Sequence, residues 1–140
     1  MRLDKFCKTH NVDMSFKPAN NEIIARAEDV LEIKFGKQLK AYLIKYGYLG
    51  YKSVEFYGII QRLALGSDMV RQTKYLHEAF PAVKKYIALG SLGDGCYIMV
   101  DSFDLVWVFD TVQNNLSPTD KRLSDYIFEK LANEDEMQVE

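Results

Sequence analysis

The chain is short of cysteine, of net charge and of long apolar runs, and each shortage excludes a class of protein. Only two cysteines occur in 140 residues, Cys7 and Cys96. They are too few for a disulfide framework and fit the reduced cytoplasm. The net charge of −2 gives no overall pull toward nucleic acid or anionic membrane, because phosphate binding needs a basic face that neutralises several charges. A local basic face stays open. No apolar run reaches the roughly 18 residues of a membrane-spanning helix. The opening MRLDKFCKTH interrupts its apolar residues with charges, so it has no secretory core. The expectation is a soluble, untargeted, cytoplasmic chain that makes no direct contact with nucleic acid or membrane. Internal repeats and low-complexity segments are also missing.

What is present is ordinary globular material. With 48% hydrophobic and 27% charged residues the composition is that of a folded protein rather than a disordered one. A chain of this length buries roughly 68 to 70% of the surface its unfolded form exposes and needs no staple. One domain over residues 1–133 is expected, followed by an acidic flexible tail over residues 134–140.

The clearest pattern runs from Asn20 to Gly47. It predicts two short amphipathic helices. Ile23, Ala27, Val30 and Leu31 form the apolar stripe of the first, with Asn20 or Asn21 as its cap. Leu39, Tyr42, Leu43 and Tyr46 form that of the second, and Gly47 stands where a left-handed residue ends a helix at least expense. The surface they need is the apolar sequence from Tyr86 to Asp110. Around this pair, Leu3, Phe6 and Cys7 suggest a helix over residues 2–10. Residues 11–19 read as a connector with Met14 and Phe16 tucked in, and alternation predicts a strand from Ser53 to Ile60. Ser67 is the expected cap of a helix from Asp68 to Phe80. Tyr86–Leu89, Cys96–Val100 and Leu105–Phe109 then read as strands. Their short links favour an antiparallel meander, and apolar residues on both alternations call for cover on both faces. Ser117-Pro-Thr-Asp120 has the form of a helix start, with serine at the cap and proline at the first position.

No complete catalytic, cofactor or metal set emerges. Cys7 and His10 have a metal-site spacing, but no second pair supplies four ligands. His77 has no serine or cysteine partner nearby in sequence. Gly90-Ser91 breaks the elbow that a hydrolase nucleophile needs, and Gly90, Gly93 and Gly95 lead into a strand where a phosphate site wants a helix. Asp94, Asp101, Asp104 and Asp110 could gather carboxylates at the sheet ends, although aspartate is also what tight reversals ask for. Aromatic and basic residues interleave from Tyr42 to Tyr57, but half of those rings fall on predicted core faces. The segment is better suited to a protein partner. Exposed Tyr48 and Tyr51 beside Lys52 and Glu55 would supply amphipathic anchors, with Asp94 at the glycine-rich turn.

Several of these residues together form a family pattern. Glu22-Ile-Ile, Glu28, Leu31, Phe35, Leu39, Tyr42-Leu43, Tyr46-Gly47 and Tyr57-Gly58, then Ile87-Ala-Leu-Gly90, Gly93-Asp-Gly95 and Val106-Trp-Val-Phe-Asp110, resemble the core of the SUKH superfamily, also called the Smi/Knr family. The chain departs from that pattern at Glu32-Ile33, where Gly-Val is usual, at Gly36 in place of proline, and at Tyr46 in place of asparagine. The resemblance spans residues 20–132. It implies an α+β fold, with a mostly antiparallel sheet of about four to six strands flanked by helices. It also implies a role without catalysis: an immunity protein that binds and neutralises a cognate bacterial toxin, a nuclease among the candidates, or a regulatory adaptor like the fungal members that govern cell-wall synthesis. A small enzyme using carboxylates near the glycine-rich turn is the remaining alternative. Either a monomer or a weak dimer is compatible with these features.

Overall fold

A computed structural model describes residues 2–14, 17–59 and 68–137. Five helices, α1 (Arg2–Thr9), α2 (Asn21–Leu31), α3 (Lys37–Lys45), α4 (Met69–Ala79) and α5 (Leu123–Met137), accompany two antiparallel sheets. The first sheet holds β1 (Asp13–Met14), β2 (Leu49–Tyr51) and β3 (Val54–Phe56). The second is a meander of β4 (Ile87–Gly93), β5 (Cys96–Val100), β6 (Leu105–Asp110) and β7 (Asn115–Arg122). The α+β class and the antiparallel meander are as expected, with the strands divided between two sheets. A hydrogen bond from Tyr57 N to Leu89 O (2.7 Å) joins the sheets.

Side-chain alternation in the meander explains the two-sided burial. Ile87, Leu89, Ile98, Val100 and Val106 pack in one apolar cluster with Ile24, Leu39, Leu43 and Ile127 of the helices. Ala88, Met99 and Phe109 point the other way, onto Leu76 of α4 and Val83. In an extended strand successive side chains leave opposite faces, so cover on both sides requires apolar residues at every position.

The helix pair is built much as its pattern predicts. Asn20 caps α2 by accepting from Ile23 N (2.9 Å), and Gly47 is left-handed at φ 73°. Glu28 is buried, and its carboxylate accepts from Phe35 N (2.7 Å), which closes the α2–α3 connection. The buried stripe of α2 is Ile24, Ala27, Glu28 and Leu31. Val30, expected inside, is 53% exposed. Tyr42 donates its buried hydroxyl toward Phe56 O (2.9 Å) and Tyr57 O (2.8 Å), tying α3 to the end of β3. Burial holds that hydroxyl far above the usual tyrosine range.

Other expectations need correction. Ser117–Asp120 is strand, not helix start: Ser117 pairs with Val108 and Pro118 with Trp107, and the final helix begins at Leu123. Proline is tolerated there because β7 is an edge strand, where a missing N–H need not break a ladder. The segment from Glu134 does not begin as a frayed tail, since α5 runs to Met137 and Glu134 is buried. Met14 is exposed rather than tucked in; Phe16, Ile60 and Ser67 lie outside the described residues. The cap of α4 is Asp68, which accepts from Arg71 N (2.8 Å).

Helix α1 is held to α3 electrostatically. Asp4 accepts from Lys45 Nζ and from the Tyr46 hydroxyl. The Lys45 hydrogen bond first, and the Tyr46 bond after it, hold the Asp4 carboxyl below its ordinary value. A depressed carboxylate stabilises the fold above its unfolded value of about 3.9 and loses that contribution as pH falls through the lower folded value. Asp4→Asn is therefore expected to lower stability at neutral pH by no more than about 1 kcal/mol, as befits a partly exposed pair. Denaturation curves of the two proteins should begin to converge as pH falls below the unfolded value of about 3.9 and meet once it has passed the lower folded value. A gap that persists unchanged in acid would refute the assignment.

Candidate functional site

The connection between β2 and β3 and the tip of the β4–β5 hairpin form a rim beside the C-terminal part of α5. Both reversals depend on left-handed residues. Lys52 (φ 54°) turns the first, and Gly93 (φ 85°), Asp94 (φ 53°) and Gly95 (φ 80°) turn the second. Between them lies a cleft of about 240 Å³ lined by Ser53, Glu55, Ser91, Leu92, Lys130 and Glu134, among others. Ser53 Oγ donates to the buried Glu134 carboxylate, pinning the β2–β3 reversal to α5. The Tyr48 hydroxyl donates to Glu55 Oε2 (2.7 Å). Burial, and then this bond to a carboxylate, push the Tyr48 hydroxyl up, so it remains a donor at neutral pH.

The structure brings some expected residues together and separates others. Glu55 lines the cleft, and Tyr48, bonded to it, is half-buried rather than exposed. Tyr51 is buried, not exposed. Its ring meets Phe6 edge-on at 5.4 Å and His10 at 5.9 Å, so it serves the core. Lys52 is exposed above it, with Nζ 5.2 Å from the Tyr51 ring centre. Asp94 is exposed at the hairpin tip, beyond Leu92. Lys130, Glu134 and Leu92 were not expected at the site. Glu134 was legible in principle, since it continues the spacing of Leu123, Ile127, Lys130 and Leu131 by one further turn.

The other aspartates serve the backbone. Asp101 accepts from Phe103 N, Leu105 N and Trp107 Nε1 (2.8, 3.1 and 3.0 Å). Asp110 accepts from Val112 N and Gln113 N (2.9 and 3.2 Å). Asp104 accepts from the first turn of α3 through Gln38 N and Leu39 N (2.9 and 3.0 Å). Carboxylates held this way orient turns and a helix end rather than converging on one point. His10 stacks flat on Phe6 at 3.8 Å, and His77 Nε2 lies 2.8 Å from Tyr86 O. Among the described residues no group of three or more His, Cys, Asp or Glu is placed to hold a metal ion. No helix among them is long and apolar enough to cross a membrane.

A seven-strand α+β scaffold with helices on both faces of its meander, presenting a rim of hairpin turns, defines the class. The family model described as SMI1-KNR4 cell-wall, SUKH_5, matches residues 3–131, and the chain belongs to that family. A comparison with curated proteins gave no match.

Proposed function

We propose that the chain is a non-catalytic binding protein that neutralises a cognate bacterial toxin in the cytoplasm by covering its active or substrate-binding surface. Membership of the SMI1-KNR4 family over residues 3–131 carries this reading. The rim supports it by offering mixed charge around a small apolar floor, with Lys52, Glu55, Lys130 and Asp94 around Leu92 and Ile98. Such an arrangement steers encounter by charge and anchors by burial. Co-expression with the neighbouring toxin gene is expected to restore growth, and the two proteins are expected to co-purify. Failure of both defeats the immunity reading. Lys52→Asn combined with Asp94→Asn removes two exposed charges while tolerating left-handed backbone. That pair is expected to weaken toxin binding about tenfold, mainly through slower association in low salt, with an unchanged thermal midpoint. Unaltered affinity would exclude the rim as the contact surface.

The cell-wall wording of the family description favours a second reading, a regulatory adaptor for another cellular protein. Specific capture of a cellular protein by the chain, in cells without a toxin gene nearby, separates it from the first.

A further inference from the structure

A second surface, sharing no residue with the rim cleft, lies between α2 and α4. Val30 lines three adjoining hollows of about 410, 400 and 480 Å³, which together make one groove. Its apolar residues include Ala27, Val30, Val70 and Tyr75. Val30 is 53% exposed and Tyr75 60% exposed, which is unusual for large apolar side chains on adjacent helices. On the α2 side the lip is acidic at its C-terminal end, where Asp29 and Glu32 are exposed, and carries Arg26 further back along the helix. The other is mainly basic, with Arg71, Lys74 and Lys84 against Asp68 and Glu78. Glu32, Lys74 and Lys84 line the same hollow, yet among the described residues none of them forms an ion pair.

We infer that this groove pairs two copies of the chain about a two-fold axis lying along it. An axis along the groove exchanges the lips, so the acidic lip of each copy faces the basic lip of the other. An axis across the groove would set α2 on α2 and part Glu32 from Lys74. A two-fold interface must be complementary to itself, and Glu32 opposite Lys74 and Lys84 meets that condition in charge. Tyr75 is the projecting side chain and the hollow beside Val30 receives it. The pairing leaves the β2–β3 and β4–β5 turns available and does not depend on the proposed toxin role.

Sedimentation of the full chain over a dilution series tests the proposal. The wild-type protein is expected to form a dimer that weakens in high salt. Lys74→Glu and Glu32→Lys should each raise the dimer dissociation constant about a hundredfold, since each change places two like-charge contacts in the interface. Mixing the two variants should restore a dimer, because only the mixed pair opposes unlike charges at both positions. Val30→Asp should also dissociate it. Both charge variants lie on the surface and are checked by circular dichroism for an unchanged fold. A chain that is monomeric at every concentration, a dimer indifferent to Lys74→Glu, or variants that fail to complement one another would each overturn the proposal. A groove occupied instead by a helix of an unrelated protein would show as the first of these results.

Discussion

Gly58→Ala is expected either to prevent folding or to destabilise the protein by more than about 3 kcal/mol. A Cβ at this position would lie 1.5 Å from Gly47 O and 2.7 Å from Gly47 C. Neither backbone can yield cheaply. Gly47 is left-handed and bonded through its N–H to Tyr42 O (3.1 Å), closing α3. The Gly58 carbonyl accepts from Met69 N (2.7 Å) at the start of α4. Moving either strand of backbone therefore disturbs a helix end. Gly93→Ala provides the control: its Cβ would meet nothing within 4 Å, and only the positive φ of 85° opposes it. That change should cost about 1 kcal/mol, or roughly 3 °C in thermal midpoint. A Gly58→Ala protein melting within a few degrees of wild type would show that the two chain segments do not meet as described.

Removing the Asp104 carboxylate is expected to have the next largest effect. Gly36 occupies the N-cap position of α3 and has no side chain with which to cap it. Asp104, in the β5–β6 turn, supplies the missing acceptor to Gln38 N and Leu39 N, and its own carbonyl accepts from Leu123 N (2.9 Å) at the start of α5. One buried aspartate thus joins two helices to the meander. Asp104→Gly keeps the backbone at ease at φ 66° and deletes only the carboxylate. Two amides, that of Leu39 buried and that of Gln38 partly so, then lose a charged acceptor, a loss of about 3 kcal/mol from a domain stability of about 5 to 15. Asp104→Asn retains one acceptor oxygen and the left-handed tolerance, so about half that loss is expected. Urea unfolding reads both. Gly36→Ala adds a sharper check, since its Cβ would lie 2.2 Å from Asp104 Oδ1. Combined with Asp104→Gly, it should cost less than the sum of the single changes, because the clash disappears with the carboxylate. Strict additivity would mean that the two residues are not in contact.

How the Asp104 cap came to be missed shows where sequence reading ends. Aspartate in Asp101-Ser-Phe-Asp104 suits a reversal on local grounds, and nothing near it in the chain mentions Gln38 or Leu39, more than sixty residues earlier. Tyr51 failed for a related reason. Its neighbours Gly50 and Lys52 suggest an exposed turn, while the ring is buried by Phe6 from α1. At Ser117-Pro118 a good local helix start was overruled by pairing with β6, reinforced by a bond from Thr119 Oγ1 to Val106 O (2.7 Å). Packing routinely outweighs preferences worth a fraction of a kcal/mol per residue. Within the site, Glu55, Lys52 and Asp94 were legible because charged residues at tight turns reach the surface. Lys130 and Leu92 were not, and Glu134 only as one more position on the inward stripe of α5, since only folding brings α5 and the β4–β5 hairpin to the β2–β3 reversal.

By itself, then, the sequence determined the helix pair from Asn20 to Gly47 with its cap at Asn20 or Asn21 and its Gly47 stop, the first three strands of the meander and the need to cover them on both faces, and, through the family resemblance, the α+β class. All but the class rest on periodicity or turn chemistry within a few residues, where the side-chain pattern and the backbone geometry that reads it are the same local event. The tertiary structure alone decided which side chains of α2 stay outside, that Asp104 caps α3, that Ser117–Asp120 is strand, and that a groove bringing Glu32 near Lys74 and Lys84 lies between α2 and α4. Those outcomes depend on surfaces brought together from distant parts of the chain, whose contacts outweigh the local preferences of the segments that make them.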